Sequence, residues 1–170
     1  MVHYLRQTAT LRPGVTLIEC AGASIILGLM ITAGLRAAAS AGAAQAISAR
    51  ALTGSLLAEG LMNEVTSLAY VDPAGGTTIG IDAGENASDK TTFDDVDDFD
   101  NWTESPPKAP GGAVIANMTK WSRSVRVFRA QPGSPESNSA VESSLKRIEV
   151  TVKFSGKVVC KLTSLRATDP

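Results

Sequence analysis

The chain has 170 residues, 16 Lys+Arg against 17 Asp+Glu, and 44% hydrophobic residues, room for one modest domain and an appendage. A formal net charge of −1 gives no bulk attraction to nucleic acid. One histidine, His3, and two cysteines, Cys20 and Cys160, leave no Cys/His or His/carboxylate grouping for zinc or nucleophilic chemistry, so no enzymatic activity is expected.

Residues 1–14 are short and polar, with Arg6, Arg12 and no acid. Residues 15–38 are apolar or small, broken by Glu19 near the start and Arg36 near the end. About 20 such residues span a bilayer as a helix, and the basic flank sets the N-terminal end in the cytoplasm. A carboxylate inside that run is costly unless it is paired, so Glu19 needs a partner. Ser24, Gly28 and Thr32 lie four apart, as do Gly34, Ala38 and Gly42. Such stripes of small residues let membrane helices approach closely.

No proline occurs between Pro13 and Pro73, and the interval is rich in Ala and Leu, both strong helix formers. Over 39–70 the pattern becomes amphipathic. Ile47, Gly54, Leu57, Leu61, Val65 and Leu68 recur at helical spacing, while Arg50, Glu59 and Asn63 fall off that stripe. One helix from about Val15 to Tyr70 is predicted. It would be roughly 80 Å long, so its second half must pack on something outside the membrane.

"VDPAGG" stops the helix. Residues 71–122, rich in Gly, Pro, Asp, Ser and Thr, read as a long irregular loop. The segment "FDDVDDFDNW" within it gathers oxygen ligands. Asp95, Asp97, Asp98 and Asp100 are therefore candidate calcium ligands, although no EF-hand frame fits them. The other reading is a solvated acidic loop held by Phe93, Phe99 and Trp102.

Residues 123–170 read as antiparallel sheet. In "RIEVTVKF", Ile148, Val150, Val152 and Phe154 alternate with Glu149, Thr151 and Lys153, the pattern of a half-buried strand. Ser155-Gly156 makes a two-residue turn. "KVVCKLTSL" returns with Val158, Cys160 and Leu162 on one face, and "SVRVFRA" (124–130) is a third strand. The helical stripe supplies the cover that one apolar sheet face needs. The fold class is α+β: a long N-terminal helix packed on a small antiparallel C-terminal sheet. Residues 82–104 hold nine acids and one base, and residues 120–166 ten bases and three acids. That asymmetry predicts that acidic loop and basic sheet edges meet between neighbouring chains; contacts within one chain would also satisfy the charges.

Gly14-Val15-Thr16-Leu17-Ile18-Glu19, after a basic leader and before an apolar helix, resembles the signature of type IV pilins and type II secretion pseudopilins. The resemblance covers residues 12–35 closely and the rest through its helix–loop–sheet order. It implies that a prepilin peptidase cuts between Gly14 and Val15 and methylates the amine of Val15, which stands where Phe is usual. It implies that Glu19 neutralises the terminal amine of a neighbouring subunit during filament assembly. The partners implied are other pilins or pseudopilins, the peptidase, an inner-membrane assembly platform and, before assembly, membrane lipid. The place implied is the bacterial inner membrane, crossed once with the N-terminus cytoplasmic and the C-terminal domain periplasmic or extracellular. "LTGSLLAEGLMNEV", the acidic segment and the closing strand pair look like minor pilins or minor pseudopilins. Some pseudopilins bind calcium in a comparable loop; the resemblance implies no other cofactor. Two alternatives stand beside it: a soluble secreted protein whose signal peptide is cut near Ala39, and a lipoprotein anchored at Cys20.

Overall fold

The computed structural model describes residues 14–76 and 78–168. The expected basic leader ahead of Gly14, with His3, Arg6 and Arg12, lies outside the described residues. The chain divides into two compact units, Met1–Gln45 and Ala46–Pro170.

The first unit contains the N-terminal part of helix α1 (Leu17–Thr66). Its large side chains are uncovered: Leu17, Ile18, Ile25, Ile26, Leu27, Leu29, Met30, Ile31 and Leu35 are all exposed. A row of aliphatic groups this long is unfavourable in water, at about 25 cal/mol per Å². This helix is long and apolar enough to cross a membrane.

The second unit packs the rest of α1 on an antiparallel sheet. Gly54, Leu57, Ala58, Leu61, Met62 and Val65 form the buried face of the helix. The sheet has five strands: β1 (Thr103–Glu104), β2 (Trp121–Gln131), β3 (Ser134–Asn138), β4 (Leu145–Phe154) and β5 (Lys157–Ala167). Their order is β1-β2-β4-β5, with β3 paired to the end of β2. Val125 and Val127 from β2 and Ile148, Val150 and Val152 from β4 face the helix. At Gly54 helix and sheet pack closely: a Cβ there would lie 3.0 Å from Val159 Cγ2.

Several boundaries differ from expectation for local reasons. The helix ends at Thr66 instead of Tyr70. The Thr66 hydroxyl donates to the Met62 carbonyl at 2.8 Å and the Ser67 hydroxyl to the Glu64 carbonyl at 2.7 Å. Such hydroxyls compete with the backbone ladder. Ala69 then bridges to Asp95 as an extended residue. The Ser155-Gly156 turn forms as expected, with φ of 48° and 79°, as a two-residue hairpin turn requires. Val158 does not join Cys160 and Leu162. The register slips there, so that Val152 opposes Cys160 while Lys153 opposes Val158. The extra residue is Val159, which packs on the core in place of the 60% exposed Val158.

The loop 71–122 is irregular, but it is not merely surface. It contains two short 3-10 turns, Lys90–Thr92 and Asp97–Phe99, and strand β1. Phe93, Val96, Phe99 and Trp102 enter the main core. Phe93 packs edge-to-face on Phe99 at 5.0 Å and on Trp102 at 5.2 Å between ring centroids. The three aromatics hold the acidic segment as expected, while three of its acids are buried: Asp95, Asp97 and Asp98.

Candidate functional site

Two places carry chemistry beyond packing. At the start of α1, the Glu19 carboxylate accepts from the Thr16 amide at 2.8 Å and the Thr16 hydroxyl at 2.9 Å. The Glu19 amide in turn faces the Thr16 hydroxyl at 3.3 Å. Thr-x-x-Glu is thus a capping box, which satisfies orphan amides of the first turn. Both bonds to the carboxylate fall on Oε2, so a second oxygen remains for another donor. The Gly14–Val15 bond lies ahead of the helix in non-helical backbone, and both residues are exposed. Among the described residues, no heavy atom outside Gly14 and its chain neighbours lies within 4 Å of where a Cβ on Gly14 would stand.

The second place is the acidic loop. The four expected calcium ligands do not form one group. Asp97 pairs with Lys146 of β4 at 2.9 Å, and Lys146 also donates to the Tyr70 carbonyl. Asp100 accepts the Val127 amide at 2.9 Å and pairs with Arg126 at 3.2 Å. Those two acids tie the loop to the sheet. Asp95 and Asp98 do enter acidic groupings, but separate ones. Asp95 joins Asp72 and Asp82, and Asp98 joins Glu85 and Asp94; within each trio one carboxylate oxygen per residue lies within 4.8 Å of the others.

Backbone amides hold the two central acids. Asp95 Oδ1 accepts from the amides of Asp97 at 2.5 Å and Asp98 at 3.2 Å. Asp98 Oδ2 accepts from the amides of Asp94 and Asp95, each at 3.0 Å. Asp72 takes the amides of Ala74 at 2.6 Å and Gly76 at 2.5 Å. A Cβ at Gly76 would fall 2.5 Å from Asp72 Oδ2 and 2.8 Å from Asp82 Oδ2, so a larger residue there would make these two carboxylates shift.

Burial, then neighbouring charge and backbone amides, shifts the titration of these groups. Burial, then the neighbouring Asp98 carboxyl, pushes Glu85 up to about 7. Burial, then the charges of Asp98 and Asp97, pushes Asp95 up to about 6 against the pull of its two amides. Asp82 is raised by burial and then by Asp72, and Asp94 by burial and then by Asp98 and Asp72. Asp72 is held below the usual range by its two amides.

Acidic loop and basic sheet do meet, and they do so within one chain. Asp97–Lys146, Asp100–Arg126 and Glu104–Arg123 each join the loop or β1 to a sheet cation. Reversing Asp97 and Asp98 to lysine, harmless if both faced a neighbouring chain, is now expected to unfold this unit, because they are 6% and 1% exposed.

Asp72, Asp82, Glu85 and Asp94 escaped sequence reasoning as ligands. The signal available was weak: Asp72 and Asp82–Glu85 are acids in glycine-rich turns flanking the obvious acidic run. Comparison of the chain with known protein families, with characterised proteins and with solved structures finds no match.

Proposed function

We propose that this chain is a structural subunit of a type IV pilus-like filament or type II secretion pseudopilus, without catalytic activity of its own. The observation that carries this reading is the Gly14–Glu19 signature, placed on exposed backbone at the mouth of a helix whose apolar part this chain leaves uncovered. In this reading the apolar part of α1 sits first in the bacterial inner membrane, N-terminus inward. Prepilin peptidase then cuts after Gly14 and methylates Val15. Other pilins or pseudopilins cover the helix in the assembled filament, delivered by the inner-membrane platform, and the protein serves protein transport or surface attachment. The helical backbone on both sides of Ala39 supports this reading over a soluble secreted protein cut at that point.

The capping box makes a clean test of Glu19 available. Glutamine also serves at the third helical position of such a box, so Glu19→Gln keeps the helix start and removes only the charge. In cells that assemble the filament, Glu19→Gln is expected to be processed normally. It should appear in sheared filaments, or in cross-linked subunit ladders, at about one tenth of the wild-type level, since losing about 1.4 kcal/mol of pairing is a tenfold loss. Wild-type incorporation by Glu19→Gln would show that the carboxylate only caps its own helix.

A further inference from the structure

We propose that the open edge of β5 is a docking site for an extended acidic segment of a partner protein, which adds to the sheet as a further strand. The site lies wholly in the second unit. It uses neither Glu19 nor the apolar part of α1, so it stands or falls apart from the filament reading.

The edge comes first. β5 runs for 11 residues, Lys157–Ala167, and pairs with β4 on one side. Among the described residues no strand pairs with its other side. A strand left so presents a row of unpaired amides and carbonyls, a template for another chain. The bulge at Val159 interrupts that row near its start, but from Cys160 to Ala167 the register with β4 is unbroken.

Beside the start of this edge, α1 and the β4–β5 hairpin enclose a groove of about 300 Å³. Ile47, Ala51, Phe154 and Val159 line it, with Arg50 and Lys157. Arg50 stands over the Phe154 ring at 4.9 Å from its centroid. Ile47 is 64% exposed, so an aliphatic side chain entering here would cover apolar surface that this chain leaves in water.

Charge names the occupant. β5 carries Lys157, Lys161 and Arg166 and no acid. Lys161 lies opposite Thr151, two residues from Lys153. Val150 and Val152 face the helix, so both lysines lie on the other face of the sheet. A second β5 would bring a like-charged edge against this one, and edge lysines oppose such self-pairing. A strand with carboxylates on one face and aliphatic side chains on the other fits instead. Its carboxylates would meet Lys153 and Lys161, and its aliphatic groups would turn toward α1 and the groove. The main-chain ladder supplies affinity in this mode of recognition, and the side chains of the two faces supply selectivity.

The test titrates the full-length chain in detergent into a dye-labelled, end-blocked peptide of alternating glutamate and valine, about eight residues long, read by fluorescence anisotropy. A dissociation constant of about 100 μM or tighter is expected, weakening as salt is raised. The matching lysine–valine peptide, and the glutamate peptide with methylated backbone amides, should each bind at least tenfold more weakly. Hydrogen exchange should slow within residues 160–167 on binding. Ile47→Glu, and the pair Lys153→Glu with Lys161→Glu, alter exposed side chains, and each should lose at least tenfold in affinity. The reversed pair should in turn bind the lysine peptide more tightly than wild type does, a gain that misfolding cannot produce. No binding at about 1 mM glutamate peptide overturns the proposal. So does equal binding of the methylated peptide, which would leave only a charged surface. A concentration-dependent dimer that Ile47→Glu dissolves would give the edge to a second copy and overturn it too.

Discussion

Glu104→Ala is expected to cost about 3–5 kcal/mol of stability, the cost of breaking a buried ion pair from one side. Glu104 is 4% exposed in β1, opposite Arg123 of β2. Its Oε1 accepts from Arg123 Nε at 2.6 Å and also from Nη2. Its Oε2 lies 3.7 Å from Lys90 Nζ, which pairs with Glu64 of α1 at 2.7 Å. Arg123 further donates to the carbonyls of Leu57 at 3.1 Å and Lys108 at 2.6 Å. One carboxylate thus balances two buried cations and links helix, loop and sheet. Without it Arg123 keeps two carbonyls but no countercharge. Denaturant unfolding of the variant measures the loss. The double variant Glu104→Leu with Arg123→Met, which removes both charges, should recover much of it. A cost below about 1 kcal/mol for Glu104→Ala would show that Lys90, Arg123 and their remaining partners tolerate the vacancy.

Phe99→Ala is expected to cost a further about 3–5 kcal/mol in its own right. Phe99 is 1% exposed and closes the 3-10 turn that carries Asp97 and Asp98. Its ring packs on Phe93 at 5.0 Å and Trp102 at 6.5 Å. Denaturant unfolding of the variant measures the loss. Full stability would mean that the neighbouring aromatics refill the site.

What could be read from residues alone follows the reach of local physics. The proline-free, alanine-rich interval marked α1, and alternation from Ile148 to Phe154 with Ser155-Gly156 marked the terminal hairpin, because each signal is complete within a few residues. Strand β3, "SPESN", carries no β-forming side chains and exists because the end of β2 offers it a partner. The bulge at Val159 trades one valine for its neighbour, and alternation cannot distinguish two adjacent valines. The acidic run was visible, but its division was not. Asp97 finds Lys146 and Asp100 finds the Val127 amide, while Asp95 and Asp98 find acids from turns up to 23 residues upstream. Those choices are made by the packing of Phe93, Phe99 and Trp102, which is tertiary.

The N-terminus of the mature protein tests the filament reading most directly. The chain, produced in a host with an active prepilin peptidase and extracted from its membranes, is to be analysed by intact mass and N-terminal peptide sequencing. The account predicts a protein beginning at Val15, with one methyl group on its amine. Gly14→Asp should leave the leader attached, since a side chain would then occupy the open point beside the scissile bond. A terminus near Ala39 on a soluble product would contradict the account and assign the apolar helix to an ordinary signal peptide.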